Sequence, residues 1–214
     1  MIYFFVLALL FFIAPLDRAR LRNTYIIAMF LVLLVFLAAR WETGTDWESY
    51  IEYFKDLDNY RNFEPGFVFE NEVVRLFTDN YTVFLFINGA LALAPIAWFL
   101  RKESHGSIAL SLSLFYAYYY LITYFGASRR IIAIGLCVLA AMQLLEKRHK
   151  LALLLVFLGS SFHYSAMLCV FYFPIANYRP TTRDAFRLIT LIGAFFYCCY
   201  FFFISFSKIY PTKS

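Results

Sequence analysis

The sequence predicts an all-α, polytopic membrane protein, and three observations predict it. The chain of 214 residues is 63% hydrophobic with a mean hydropathy of +0.68, and only 15% of it is charged. Ordinary soluble domains carry roughly 45–50% apolar and about 25% charged residues. Aromatic residues reach 22%, so a soluble globule of this composition would lack polar surface and the chain needs lipid around it. The second observation is a succession of about seven long apolar stretches. The third is a sorting of charge between the loops that join them.

A membrane helix needs about 20 apolar residues at roughly 1.5 Å rise each. The expected segments run from Ile2 to about Leu16, Thr24 to Ala39, Tyr81 to Leu100, Ile108 to Phe125, Ile131 to Leu145, Leu151 to Ala176 and Leu188 to Ser207. All should be helical, because backbone in lipid must satisfy its own hydrogen bonds. The first lacks a basic leader and a small-residue cleavage site, so it is expected to be a retained helix rather than a signal peptide. Together the segments make one integral membrane domain over residues 1–214.

Lys and Arg set the expected orientation. Arg18, Arg20 and Arg22 follow the first segment, Arg101 and Lys102 the third, and Lys147, Arg148 and Lys150 the fifth. Two spans separate each group from the next, which puts all three on one face, the cytoplasmic one. The N-terminus and the loop 40–80 then lie outside. That loop holds ten of the fourteen acidic residues against Arg40, Lys55, Arg61 and Arg75, a net charge of −6 in a chain of +5. Its aromatic residues (Trp41, Trp47, Tyr50, Tyr53, Phe54, Tyr60) suit short helices lying along the headgroups.

Two places break the pattern. Arg129-Arg130 falls at the outer boundary of the fourth and fifth segments, against the positive-inside bias. The pair reads either as snorkelling side chains at the headgroups or as an anion site, since the guanidinium fork matches phosphate. The stretch Leu151–Ala176 is long for one span, with Gly159-Ser160-Ser161-Phe162-His163-Tyr164-Ser165 at its middle and Arg179, Arg183 and Arg187 after it. It is either a re-entrant helical hairpin with His163 near the apex or one tilted helix. A cytoplasmic basic loop after it favours the hairpin. In both cases a histidine at that depth is a functional candidate.

Other chemistry finds no support. Cys137, Cys169, Cys198 and Cys199 sit in apolar stretches and form no C-x-x-C pair, so they read as small hydrophobes. No spacing of ligands suggests a metal, and no phosphate loop or nucleic-acid module is present.

Four patterns stand in order along the chain: Arg40-x-x-x-Gly44-Thr45-Asp46-x-x-x-Tyr50, Glu64-Pro65-Gly66-Phe67, Arg129-Arg130-Ile131-Ile132-Ala133, and His163-Tyr164-Ser165-Ala166. In this order and at these membrane positions they resemble the EpsG family, Wzy-like polymerases of bacterial exopolysaccharide, capsule and O-antigen synthesis. The family often has Arg-Gln where this chain has Arg129-Arg130, so its arginine maps onto Arg129. Its members are longer, so the resemblance implies further membrane helices beyond Lys213-Ser214.

The resemblance implies a glycosyltransferase at the outer face of the bacterial cytoplasmic membrane. It would join repeat units carried on undecaprenyl diphosphate. The sugar is already activated as a diphosphate ester, so no nucleotide or other cofactor is implied. Arg129, with Arg130 and Arg40, would stabilise the departing diphosphate. His163 or Asp46 would orient or deprotonate the acceptor hydroxyl, and Glu64 and Tyr50 would bind sugar; Asp46 and Glu64 also suit turn and cap chemistry. A flippase and a chain-length regulator are the implied partners. The rival readings are a transporter or flippase of the same lipid-linked substrate, an acyltransferase, and a non-catalytic component of an export complex. The absence of an internal repeat speaks against transport.

Overall fold

A computed structural model describes residues 2–12, 22–40, 42–44, 46–57, 63–104 and 107–176. Among them are α1 (Ile2–Phe12), α2 (Arg22–Ala38), α3 (Trp47–Lys55), α4 (Pro65–Arg75), α5 (Tyr81–Glu103) and α6 (Ile108–Phe115). A π-helical stretch, Tyr116–Tyr124, continues α6. Then come α7 (Ser128–Leu145), α8 (His149–Phe162), a 3₁₀ stretch Tyr164–Phe171 and the short α9 (Tyr172–Ala176). No strand occurs among the described residues.

Among the described residues two helices, α5 and α7, are long and apolar enough to cross a membrane, and four shorter apolar helices accompany them. The last expected segment, 188–207, lies outside the described residues, as do Arg18, Arg20, Trp41, Thr45, Tyr60, Arg179, Arg183, Arg187, Cys198 and Cys199. Helix α7 is the hub: it packs on α5, on α8 and on the segment after α8, while α2 packs on α5 and α1 on α6. The main core joins Leu10, Met29, Leu33, Ala92, Leu112 and Ile131 from these helices. Tyr116, Tyr120 and Tyr124 stack at four-residue spacing with ring centroids 5.5 and 5.4 Å apart. Their hydroxyls donate to the carbonyls of Tyr3, Leu33 and Ala92 respectively, tying the π stretch to α1, α2 and α5.

The loop 40–80 differs from the expectation of helices lying along headgroups. Trp47, Tyr50, Tyr53 and Phe54 of α3 are buried, and they pack with Phe67 of α4 and Tyr81 and Phe84 of α5. The rings pair edge-on or tilted, as Trp47–Tyr81 at 5.1 Å and Phe54–Phe84 at 5.1 Å. Such pairs gain about 0.5–1.5 kcal/mol beyond their burial. The acidic loop is therefore a folded cap with its own aromatic core, seated on the start of α5.

Two glycines explain how closely the cap approaches the helices. Gly44 has φ +104°, and a Cβ there would lie 2.1 Å from the Phe125 carbonyl oxygen. A Cβ on Gly66 would lie 2.9 Å from the backbone carbonyl of Ser161 near the end of α8. Both contacts are main chain against main chain, so only glycine fits.

The stretch 151–176 is not one continuous helix. α8 ends at Phe162, and His163 is extended at φ −158°, ψ 120°. A Cβ on Gly159 would stand 3.3 Å from the Ala166 side chain, whereas seven residues of continuous helix would separate them by roughly 10 Å. The chain turns at His163 and the following residues pack back against α8 and α7. At the opposite end of α7, Lys102 pairs with Glu146, which brings two of the basic loops together.

Candidate active site

The end of the bundle where the chain turns is built from four element boundaries. Arg40 follows α2, Asp46 precedes α3, Glu64 precedes α4 and Ser128 opens α7. Asp46 and Glu64 occupy N-cap positions, yet neither side chain makes a capping hydrogen bond. Both carboxylates serve the site instead. Pro65 at the first position of α4 supplies the helix start that Glu64 leaves uncapped.

Glu64 is the centre. Its carboxylate accepts from Arg129 Nη1 at 2.5 Å and lies 3.0 Å from His163 Nδ1. Arg129 Nε donates to the Tyr50 hydroxyl at 3.2 Å, and that hydroxyl donates to Asp46 Oδ2 at 3.3 Å. Asp46, Tyr50, Arg129, Glu64 and His163 thus form one continuous chain of contacts. The Arg129 guanidinium also lies over the rings of Phe63 and Tyr50, 4.8 and 5.7 Å from their centroids.

The Glu64 side chain is 4% exposed. Burial pushes its pKa up, but its own backbone amide, hydrogen bonds from Arg129 and His163, and the Arg129 charge outweigh this and hold the carboxyl below its usual value. An ionised carboxylate only accepts, so the hydrogen on the His163–Glu64 contact belongs to Nδ1. In the neutral form of the imidazole the free lone pair is then on Nε2. Tyr50 is pushed the other way, mainly by burial, and keeps its phenolic proton for Asp46.

A second buried network holds the start of α7. Arg40 is 7% exposed. Its Nη1 donates to the Tyr124 carbonyl at 2.7 Å and its Nη2 to Ser128 Oγ at 2.8 Å. Asn88 Nδ2 of α5 donates to the Ser128 carbonyl at 3.3 Å and to both Glu70 oxygens at 3.2 and 3.0 Å. Glu70, on α4, meets burial with Asn88 as its hydrogen-bond donor, and burial pushes it up to about 8. Sequence reasoning missed Glu70, Asn88 and Ser128. The signal for Asn88 was present: a lone amide in the middle of an apolar helix.

Arg130 borders the cluster without joining it. It is exposed; its backbone N–H donates to the Ala127 carbonyl at 3.1 Å, and among the described residues its guanidinium makes no hydrogen bond or ion pair. It lines the small cleft formed with Asp46, Tyr50, Ala127, Arg129 and His163, a space of about 10 Å³, which is room for roughly one water. It also lines a cavity of about 550 Å³ with Thr43, Gly44, Asp46 and Gly126. Among the described residues no cluster of His, Cys, Asp or Glu could hold a metal.

An all-α framework of apolar helices, with a half-buried Arg–Glu–His cluster at one end under a folded cap, defines the class as an apolar helical bundle with a polar site at its surface. A family model of the EpsG family matches residues 23–213. The chain belongs to that family, whose members are membrane proteins associated with polysaccharide biosynthesis. Neither the characterised proteins nor the solved structures yielded a match to this chain.

Proposed function

We propose that the protein is a polysaccharide polymerase. It transfers a glycan from a polyprenyl diphosphate carrier to a hydroxyl of the next lipid-linked repeat unit, at the outer face of the cytoplasmic membrane. The observation that carries this reading is the Arg129–Glu64–His163 contact. A carboxylate holds Nδ1–H of a histidine and leaves Nε2 as the acceptor, the arrangement by which a histidine is oriented as a general base. Arg129 keeps that carboxylate ionised.

The reaction follows from these parts. The acceptor hydroxyl gives its proton to His163 Nε2 as its oxygen bonds to the anomeric carbon. The bond from that carbon to the diphosphate breaks, and the electron pair leaves with the phosphate oxygen. Negative charge builds beside Arg129 and Arg130, and fixed cations there stabilise it. Asp46 and Tyr50 hold the Arg129 side of the cluster, and Asp46 faces the glycan. The 550 Å³ cavity that Asp46 borders with Arg130 is within the roughly 300–1,000 Å³ of small-molecule sites. Arg40, bonded into the start of α7, positions the pair rather than touching substrate. The turn at His163 supports a re-entrant hairpin, and the Lys102–Glu146 contact supports basic loops gathered on one, cytoplasmic, face. A flippase supplies the substrate in this scheme and a chain-length regulator limits the product.

The test is complementation of a bacterium lacking its matching polymerase, read as lipid-linked glycan on a gel. Restored long polymer that disappears with His163→Ala and Arg129→Ala supports the reading. Polymer that survives both substitutions overturns it and leaves a non-catalytic role.

A further inference from the structure

A groove runs along α7 on the face turned to the returning segment Tyr164–Ala176. Its α7 wall is a stripe at helical spacing: Arg130, Ile134, Cys137, Ala141 and Leu144, widened by small neighbours. Ser165 and Cys169 belong to the opposite wall, and the space between is about 320 Å³. From Arg130 to Leu144 the stripe is roughly 21 Å long at 1.5 Å per residue. Its polarity is graded. Arg130 and Ser165 lie at the end near His163, and the rest of the length is apolar.

The charge balance at that end singles out Arg130. Glu64 already compensates Arg129, with His163 on its other oxygen. Among the described residues the neighbouring Arg130 guanidinium has no ion pair, and it lines both the cleft of the candidate active site and the head of the groove. A groove one helix wide, apolar along its length and cationic at its mouth, complements a single-chain amphiphile with a phosphate head.

We infer that this groove seats the isoprenoid chain of a polyprenyl phosphate whose phosphate meets Arg130. The inference rests on the polymerase reading for the choice of isoprenoid, and it adds the place of the tail and a division of labour. Arg129 organises Glu64 and His163, and Arg130 receives the anion.

Cys137 and Cys169 lie in the middle of the groove and provide the test. The full chain, with Cys198→Ser and Cys199→Ser, is placed in phosphatidylcholine nanodiscs and treated with a lipid-permeant maleimide. Polyprenyl phosphate at about ten times its Kd should slow labelling about tenfold, as expected for occupancy of one site. Polyprenol without phosphate, and inorganic phosphate alone, should leave the rate unchanged. Arg130→Gln should remove the protection by polyprenyl phosphate, and Ala141→Trp should block labelling and binding together. Equal protection by polyprenol overturns the role of Arg130. An absence of labelling before any ligand is added means that the chain's own later residues or bilayer lipid fill the groove, which overturns the site. The complementation gel separates the two readings: polymer without protection keeps the polymerase and rejects the groove, and protection without polymer does the reverse.

Discussion

Glu64 and Glu70 lie on the same short helix, fewer than two turns apart, and the protein treats them in opposite ways. At the start of α4, Glu64 meets Arg129 and His163 and is held ionised. In the middle of α4, Asn88 is the hydrogen-bond donor to Glu70 and burial lifts it to about 8. Glu70 lies deeper among packed atoms than Glu64, and burial is the main cause of its raised value. The partner acts in the same sense: a guanidinium offsets the loss of hydration, and an amide does not. The cap thus presents a fixed anion to the site and keeps a neutral acid behind it.

Breaking the charged end should have the largest effect. Glu64→Ala leaves Arg129 uncompensated among aromatic rings and releases His163. The expected loss is about 3–5 kcal/mol in chemical denaturation, the range for removing one partner of a buried pair, together with loss of polymer. Gly66→Ala comes next. Its methyl would collide with the Ser161 backbone, and the strain should cost about 1–3 kcal/mol. It should also reduce polymer, because Glu64 is two residues away.

The neutral acid should respond with the opposite sign. The folded pKa of Glu70 is above its unfolded value, so its favourable contribution is complete below the unfolded pKa and is lost as pH rises through about 8. Glu70→Gln retains an acceptor for Asn88 and removes that loss. It should raise stability by about 1–3 kcal/mol near pH 7 and flatten the alkaline limb of a Tm-against-pH curve. Glu64, whose folded pKa is lowered, contributes stability that is present above the ordinary carboxylate pKa and lost as pH falls through its folded value. Glu64→Gln should therefore flatten the acid limb. If the two variants changed the same limb, burial and partner would not be what separates these carboxylates.

Lys102→Ala sets the lower bound. The Lys102–Glu146 pair is partly exposed, with side chains 41% and 27% accessible. Its loss should cost under about 1 kcal/mol and leave polymer length unchanged.

The helical class was legible in the sequence, and so were several residues that the structure gathers at the candidate site, because charges beside apolar stretches and Gly-containing turns mark themselves. Arg129 and His163 could be singled out on local grounds, and Asp46, Tyr50 and Glu64 through the ordered patterns of the family resemblance. Their pairing could not: Glu64 meets Arg129 across 65 positions and His163 across 99, and no local spacing encodes such a contact. The aromatic residues of the cap show the converse. Amphipathic helices rich in Tyr and Trp have the same composition whether they lie on headgroups or pack on each other. Only the positions of Phe67, Tyr81 and Phe84 reveal the folded core. Arg40 has the same ambiguity. A cation at a membrane boundary reads as a ligand contact until its bonds to Tyr124 and Ser128 are seen.

Gly44 against Phe125 and Gly66 against Ser161 are contacts between backbones, so they set distances that no rotamer can adjust. The frame around Glu64 and His163 is therefore a fixed gauge, largely indifferent to which side chains decorate the cavity nearby. The side chains that line the cavity can therefore change while Glu64 and His163 keep their separation, which rests on two hydrogen atoms where a methyl group would not fit.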